Sequence, residues 1–410
     1  SCWSEGCCKS LMFALLGAQG EDSTTIQIYN GTYSLSQNSS ATDFYGITDL
    51  TIVGMNHNVF IDCTDGVGGI AFFNCAQINI TSITINGCGA LRNSTSKDYA
   101  ASNFSFLDIN VTLYFLFCKN VTLTGVTISN SIGTGVVMYA TVGVVRIQSC
   151  AFLSNNAVTS GGGLYIEFPY CSPGNDSCIH HTDAIPIEFA ESSSYYIYAS
   201  SFQNNAAYTP NENDAYILPH KQNHLAFGRG GGLSVFFKGH SRDNTVQVSH
   251  CNFSNNTAVW GGGILSEHQD FSANNTLIVE YCTFLGNSCP YSSIYNANGT
   301  GGGGVRLGYL FFHDTHCRNN TLLFRHTVFR SNGAYYGGGL SFYAPREDSI
   351  HVTNTLEFHN CSWYSNTGRL DSAIDLALWH PVVSGSVITP VFNSCKFHNS
   401  YYNQPLNGDQ

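Results

Sequence analysis

Residues 244–265 read NTVQVSHCNFSNNTAVWGGGIL: an alternating apolar strand, an aromatic, an asparagine three residues later, then a glycine cluster followed by an aliphatic. The pattern recurs along the chain. Phe152, Phe202, Phe253, Phe284, Phe329 and Trp363 are followed by Asn155, Asn205, Asn256, Asn287, Asn332 and Asn366. Glycine clusters fall at 161–163, 230–232, 261–263, 301–304 and 337–339. Repetition at this period predicts a solenoid, in which each unit buries its apolar face only against the next.

The strands that open successive units fix the type of solenoid. Asn-Thr recurs at Asn244, Asn275, Asn320 and Asn354, and two residues on stand Val246, Leu277, Leu322 and Leu356. Apolar and β-branched residues at period two predict strands rather than helices. Copies running in one direction give parallel sheets, and crossovers of that kind are right-handed. The expected fold is therefore all-β, a right-handed parallel β-helix wound from a single strand. The aromatic column fills the interior, the asparagines bond from coil to coil in a ladder, and the glycines permit a corner of positive φ or close backbone approach.

Four regions are expected. Residues 1–23 form an N-terminal cap with a short amphipathic helix beside Cys2, Cys7 and Cys8. Residues 24–149 are coils without glycine clusters, in which Cys75, Ile78 and Ile80 align with Cys118, Val121 and Leu123. Residues 150–403 carry the full repeat, and 404–410 are a tail.

Composition excludes several functions. Charged residues make up 10% of the 410, the net charge is −11, and the 16 basic residues form no stripe for a nucleic acid. No apolar run reaches the roughly 18 residues needed to cross a bilayer. The 16 cysteines fit an oxidising compartment. Acceptor sequons for N-linked glycans occur at Asn30, Asn38, Asn79, Asn93, Asn103, Asn110, Asn120, Asn175, Asn252, Asn255, Asn274, Asn298, Asn319 and Asn360. A chain so rich in Asn, Ser and Thr would produce about half as many by composition alone. Together these features predict a secreted or extracellular glycoprotein, as a mature or internal fragment.

Coil spacing lies within the reach of a disulfide. The expected bridges are Cys75 with Cys118, Cys251 with Cys282, Cys361 with Cys395, and Cys171 with Cys178, with Cys63–Cys88 and Cys289–Cys317 as further pairs. Some stacked cysteines could equally remain buried thiols.

Chemistry is sparse in the local sequence. Glycoside cleavage needs a pair of carboxylates, and a calcium-assisted lyase needs an acidic cluster with a base. No such local cluster is present. His180, His181 and Asp183 share one loop, and Arg369, Asp371, Asp375 and His380 stand where the sixth glycine cluster would be. His250 and His326 share a column and read as corner residues. No catalytic residue, cofactor or metal is expected, and the chain is expected not to be an enzyme.

The pairing of F-x-x-N with G-G-[AG]-[ILV], as in FLSN…GGGL (152–164), FSNN…GGGI (253–264) and FRSN…GGGL (329–340), resembles the repeats of chlamydial polymorphic outer-membrane proteins. That family's passenger domains are β-helices implicated in adhesion. The cysteines and sequons resemble more the β-helix arrays in large extracellular proteins of sponges and other aquatic eukaryotes. The resemblance implies a surface or matrix role and supplies no catalytic residues. The expected function is a structural or adhesive β-helix, with N-glycans attached, a cell-surface or matrix partner, and end-to-end assembly into a filament. The alternatives are a carbohydrate-active enzyme, a glycan-binding module, or the ectodomain of a larger membrane protein.

Overall fold

The computed structural model describes residues 17, 23–34, 43–63, 69–89, 111–157, 160–169, 191–207, 228–269, 271–290, 301–309, 317–343, 354–368, 376–379, 390–398 and 402–403. The expected capping helix, Cys2, Cys7, Cys8, Cys171 and Cys178 lie outside these residues. The chain winds as a right-handed parallel β-helix with three sheets of 11 strands each, here named A, B and C. Each coil contributes one strand to A, one to B and one to C, and all pairings are parallel. Short strands such as Asn156–Ala157, Ala206–Ala207 and Thr257–Ala258 add a narrow fourth side between B and C.

Register is set residue for residue. On sheet A, Val246 pairs with Leu277, Leu277 with Leu322 and Leu322 with Leu356. The sheets run unbroken across residue 150, since Val144–Gln148 pairs with Ser194–Tyr198 on the next coil. Inward positions of all three sheets merge into one core from Ile26 to Trp363.

Like residues meet along that core. The rings of Phe152, Phe202, Phe253 and Phe284 stack with centroids 4.7, 4.6 and 4.9 Å apart. The file continues through Phe329, Trp363 and Phe397 at 5.1, 5.1 and 4.5 Å. This is the coil spacing of about 4.8 Å, so the rings meet face to face because the backbone pairing puts them there. The last glycine of each cluster lies against this file. A Cβ on Gly232 would sit 2.9 Å from Phe253 Cδ1 and 2.6 Å from the Gly263 carbonyl oxygen. The glycine two before the last of each cluster takes positive φ, as at Gly161 (64°), Gly261 (66°) and Gly302 (73°).

Beside the rings runs the asparagine file. The Asn205 backbone N–H and side-chain amide both donate to Asn256 Oδ1, at 3.0 Å each, and that amide also donates to the Phe152 carbonyl. Asn256, Asn287 and Asn332 repeat the arrangement. These side chains are buried, so leaving one unpaired costs about 1–3 kcal/mol. A second file, Asn244, Asn275, Asn320 and Asn354, opens the strands of sheet A in the same way.

The described cysteines stack along the coils. Cys63 and Cys88 are bridged, with Cα atoms 4.7 Å apart. Cys75 with Cys118, Cys251 with Cys282 and Cys361 with Cys395 stand one coil apart with their sulfurs in contact. One cysteine column turns sheet A into sheet B. Cys150, Cys251, Cys282 and Cys395 donate to the carbonyls of Leu123, Ile197, Val248 and Phe358 one coil back. Ser200 and Thr327 stand in the same column and donate to Ile147 and Val279. The position selects a small side chain with one donor, and a thiol or a hydroxyl meets that need. Cys118 does the same at another corner, reaching the Phe72 carbonyl at 3.2 Å. Burial pushes the Cys150 thiol up to about 11.

Candidate functional site

The outer face of sheet C differs from the other two. Its strands Leu164–Phe168, Leu233–Phe237 and Ile264–His268 are buried at every position, whereas Thr276–Glu280 on sheet A alternates half-buried with buried. The outward residues fall into two rows. One runs Val137, Tyr165, Ser234, Leu265, Arg306 and Ser341. The other runs Tyr139, Glu167, Phe236, Glu267 and Gly308. The adjoining corner adds Arg229 and Trp260, which pair with each other and then with Gly301.

Opposite charges meet on this face. Arg229 Nη1 lies 3.1 Å from Glu267 Oε2, and Lys238 Nζ lies 2.8 Å from Glu167 Oε2. Tyr165 donates its hydroxyl hydrogen to Glu167, and Gln269 Nε2 donates to Glu267 at 3.2 Å. The cations also cover rings. Arg229 sits 5.6 Å from the Phe236 centroid and 5.3 Å from that of Trp260, and Arg306 lies 5.1 Å from the Trp260 ring. Burial pushes the Tyr165 phenol well above its ordinary range, reinforced by the Glu167 charge. Only a matched set of partners makes such burial of charge tolerable.

Among the described residues, Trp260 Nε1 and Ser341 Oγ of this region are buried without a hydrogen-bond partner. Both flank Gly301. Trp260 pairs with Gly301 across adjacent coils, and a Cβ on Gly301 would lie 3.0 Å from Ser341 Oγ and 3.4 Å from Arg306 Nη1. Arg306, Tyr335 and Tyr336 are half-buried, so this end of the face reaches solvent. A tryptophan N–H, a serine hydroxyl and a guanidinium around a bare glycine can bind a ligand rich in hydroxyl or carboxylate groups. Glu167 and Glu267 stand in one row with Phe236 between them, so their backbones lie about 9.6 Å apart. Acid–base work by these carboxylates would require each to release its cation.

The residues singled out in the sequence fall elsewhere. His180, His181, Asp183, Arg369, Asp371, Asp375 and His380 lie outside the described residues. No group of three or more metal-ligating side chains occurs among the described residues. His250 and His326 are exposed and take positive φ at the corner between sheets A and B. They stack on either side of Tyr281, at 4.9 and 4.7 Å. Eight sequon asparagines are described, all on sheets A and B or their corners.

The aromatic–ionic face was missed because its members are unlike one another. A signal was nevertheless present. Tyr165, Ser234, Leu265, Arg306 and Ser341 each stand two residues after a glycine cluster, and Glu167, Phe236, Glu267 and Gly308 stand four after. Extending the repeat alignment past the aliphatic would have set them in two files.

No family model matches the chain, and no curated protein is significantly similar to it. Solved structures do share its fold. The chain is similar to the catalytic domain of Agl-KA (11% identity, TM-score 0.43), covering 96% of this chain and 64% of that one. It is also similar to PfbA, a surface adhesin of Streptococcus pneumoniae (8% identity, TM-score 0.44; 97% and 90% covered). A third is a PL6 alginate lyase in complex with a trisaccharide (10% identity, TM-score 0.36; 95% and 83% covered). The chain spans 64% and 55% of the lengths of the first two structures it matches. At such identities the likeness is one of fold alone.

The expectation of a non-enzyme is overturned as a consequence of the fold, since the structures that share it include an alginate lyase, the pectate lyase Pel9A and an α-1,3-glucanase catalytic domain. Stacking brings Glu167 and Glu267, 100 positions apart in the chain, into one row of sheet C, a juxtaposition that a search for carboxylates close in sequence overlooks.

Proposed function

We propose that this chain is an extracellular β-helix that engages a polysaccharide through the outer face of sheet C, at the end marked by Trp260, Gly301, Arg306 and Ser341. The observation that carries this reading is the pair of buried, unpartnered polar atoms, Trp260 Nε1 and Ser341 Oγ, beside a guanidinium and a glycine. Sugar hydroxyls both donate and accept, so they match an indole N–H and a serine hydroxyl alike. The sequons and the lack, among the described residues, of a helix long and apolar enough to cross a membrane are consistent with an extracellular setting.

The test is retention of the full chain on immobilised neutral and acidic polysaccharides, with turnover followed by release of reducing or unsaturated ends. Trp260→Phe keeps the ring and removes the N–H, and Arg306→Gln removes the charge. Each is expected to weaken retention about tenfold or more. Failure of the wild-type chain to bind any of the polysaccharides, or unchanged binding by both variants, would sink the proposal.

A structural or adhesive rod is the second reading. It is favoured by the continuity of the asparagine file from Asn155 to Asn366, which gives the coils axial stiffness. Binding of the chain to cell surfaces or matrix, unaffected by Trp260→Phe and Arg306→Gln, would select it.

A further inference from the structure

We infer that N-linked glycans are carried on the corners flanking sheet A at Asn274, Asn319 and Asn360, while Asn79 and Asn120 stay unmodified despite their sequons. The argument rests on side-chain placement and is independent of polysaccharide binding by sheet C.

Asn274 and Asn319 occupy the same corner on adjacent coils, both exposed, with φ of 55° each. Each immediately precedes a buried asparagine of the sheet A file, so the triplets Asn274-Asn275-Thr276 and Asn319-Asn320-Thr321 serve two purposes. The middle residue points inward and holds the coils together. The first points out. Their side chains join in a short exterior file, with Asn319 Nδ2 donating to Asn274 Oδ1 at 3.1 Å and Asn274 Nδ2 to Asp243 Oδ1 at 2.9 Å. Glycosylation replaces one of the two amide hydrogens, so the remaining hydrogen can keep this bond. Asn360 is likewise exposed, at the corner between sheets A and B, with φ of 53°.

Asn79 and Asn120 are built differently. Both are half-buried on strands of sheet A. Asn79 Nδ2 donates to Thr51 Oγ1 at 3.5 Å. Asn120 Oδ1 accepts the Val144 N–H at 2.9 Å, and a Cβ on Gly143 would lie only 2.5 Å from that oxygen. The amide is therefore walled in by the next coil. A glycan there would force that coil away and break its pairing.

The transfer forms a bond from asparagine Nδ2 to the anomeric carbon of a sugar. It breaks the bond from that carbon to the oxygen of a lipid pyrophosphate-linked oligosaccharide, which is the co-reactant, and the amide gives up one proton. A structural explanation competes with this one. Positive φ favours asparagine and strands favour threonine, so such triplets can arise without any modification. Occupancy decides between them.

The full chain would be secreted from eukaryotic cells, deglycosylated enzymatically in heavy-oxygen water, and digested for mass spectrometry. The expected result is heavy-oxygen aspartate at 274, 319 and 360 and unmodified asparagine at 79 and 120. Label at Asn79 or Asn120, or its absence at any of the three exposed positions, overturns the inference. Loss of polysaccharide retention with this labelling intact would count against the sheet C reading alone.

Discussion

The inside of the coil and the outer face of sheet C are built from the same strands by opposite rules. Inside, each residue meets its own kind one coil away: Phe253 meets Phe284, and Asn256 meets Asn287. Outside on sheet C, each meets something else, so that Glu167, Phe236 and Glu267 succeed one another in a single row. Like-on-like stacking serves any chain of this architecture. Unlike neighbours that satisfy one another's charge are particular to this chain.

Perturbing the interior file gives the largest effect. Asn256→Leu removes the acceptor of the Asn205 backbone N–H and of one Asn205 amide hydrogen, and the donor to the Phe202 carbonyl. At roughly 1–3 kcal/mol for each buried group, a loss of about 5 kcal/mol is expected in urea denaturation. A midpoint close to that of the wild type would show that the file is dispensable.

On sheet C, Glu267→Ala leaves Arg229 buried without its carboxylate and should cost about 3 kcal/mol. Replacing both together, by Arg229→Met with Glu267→Leu, should recover most of that loss. If it does not, the pair is bound into a wider network than the face suggests.

His268 gives a pH-dependent contrast. It stacks on Phe237 inside the coil at 4.7 Å, and burial lowers its pKa from 6.5 to about 3. Between those values the unfolded chain takes up a proton that the folded chain does not, so stability falls as pH drops below 6.5. The loss is about 2 kcal/mol by pH 5, and His268→Phe should abolish this component. Identical acid profiles for the two proteins would remove His268 as its source.

The smallest effect belongs to the exterior corner. His250→Ser removes an exposed ring from the stack with Tyr281 and should change stability by no more than about 0.5 kcal/mol. A larger loss would mean that exterior stacks contribute as interior ones do.

These contrasts also explain what could be read from the chain beforehand. The Phe and Asn files were legible because a repeated residue at a repeated spacing declares its own neighbour. Tyr165, Arg229, Trp260 and Arg306 gave no such sign, since each has a different residue above and below it. The cysteine columns were legible by the same alignment, whereas the shared need for a donor became legible only with the carbonyl one coil back, which Ser200 and Thr327 also meet.

That column carries an unexpected biochemical corollary. Because Cys150, Ser200, Cys251, Cys282 and Thr327 do one job, the winding from sheet A to sheet B asks nothing of the surrounding redox potential. A sample kept in excess dithiothreitol should therefore hold its spiral along this stretch, and cysteine-to-serine replacement there offers a direct route to a form that does not cross-link during purification.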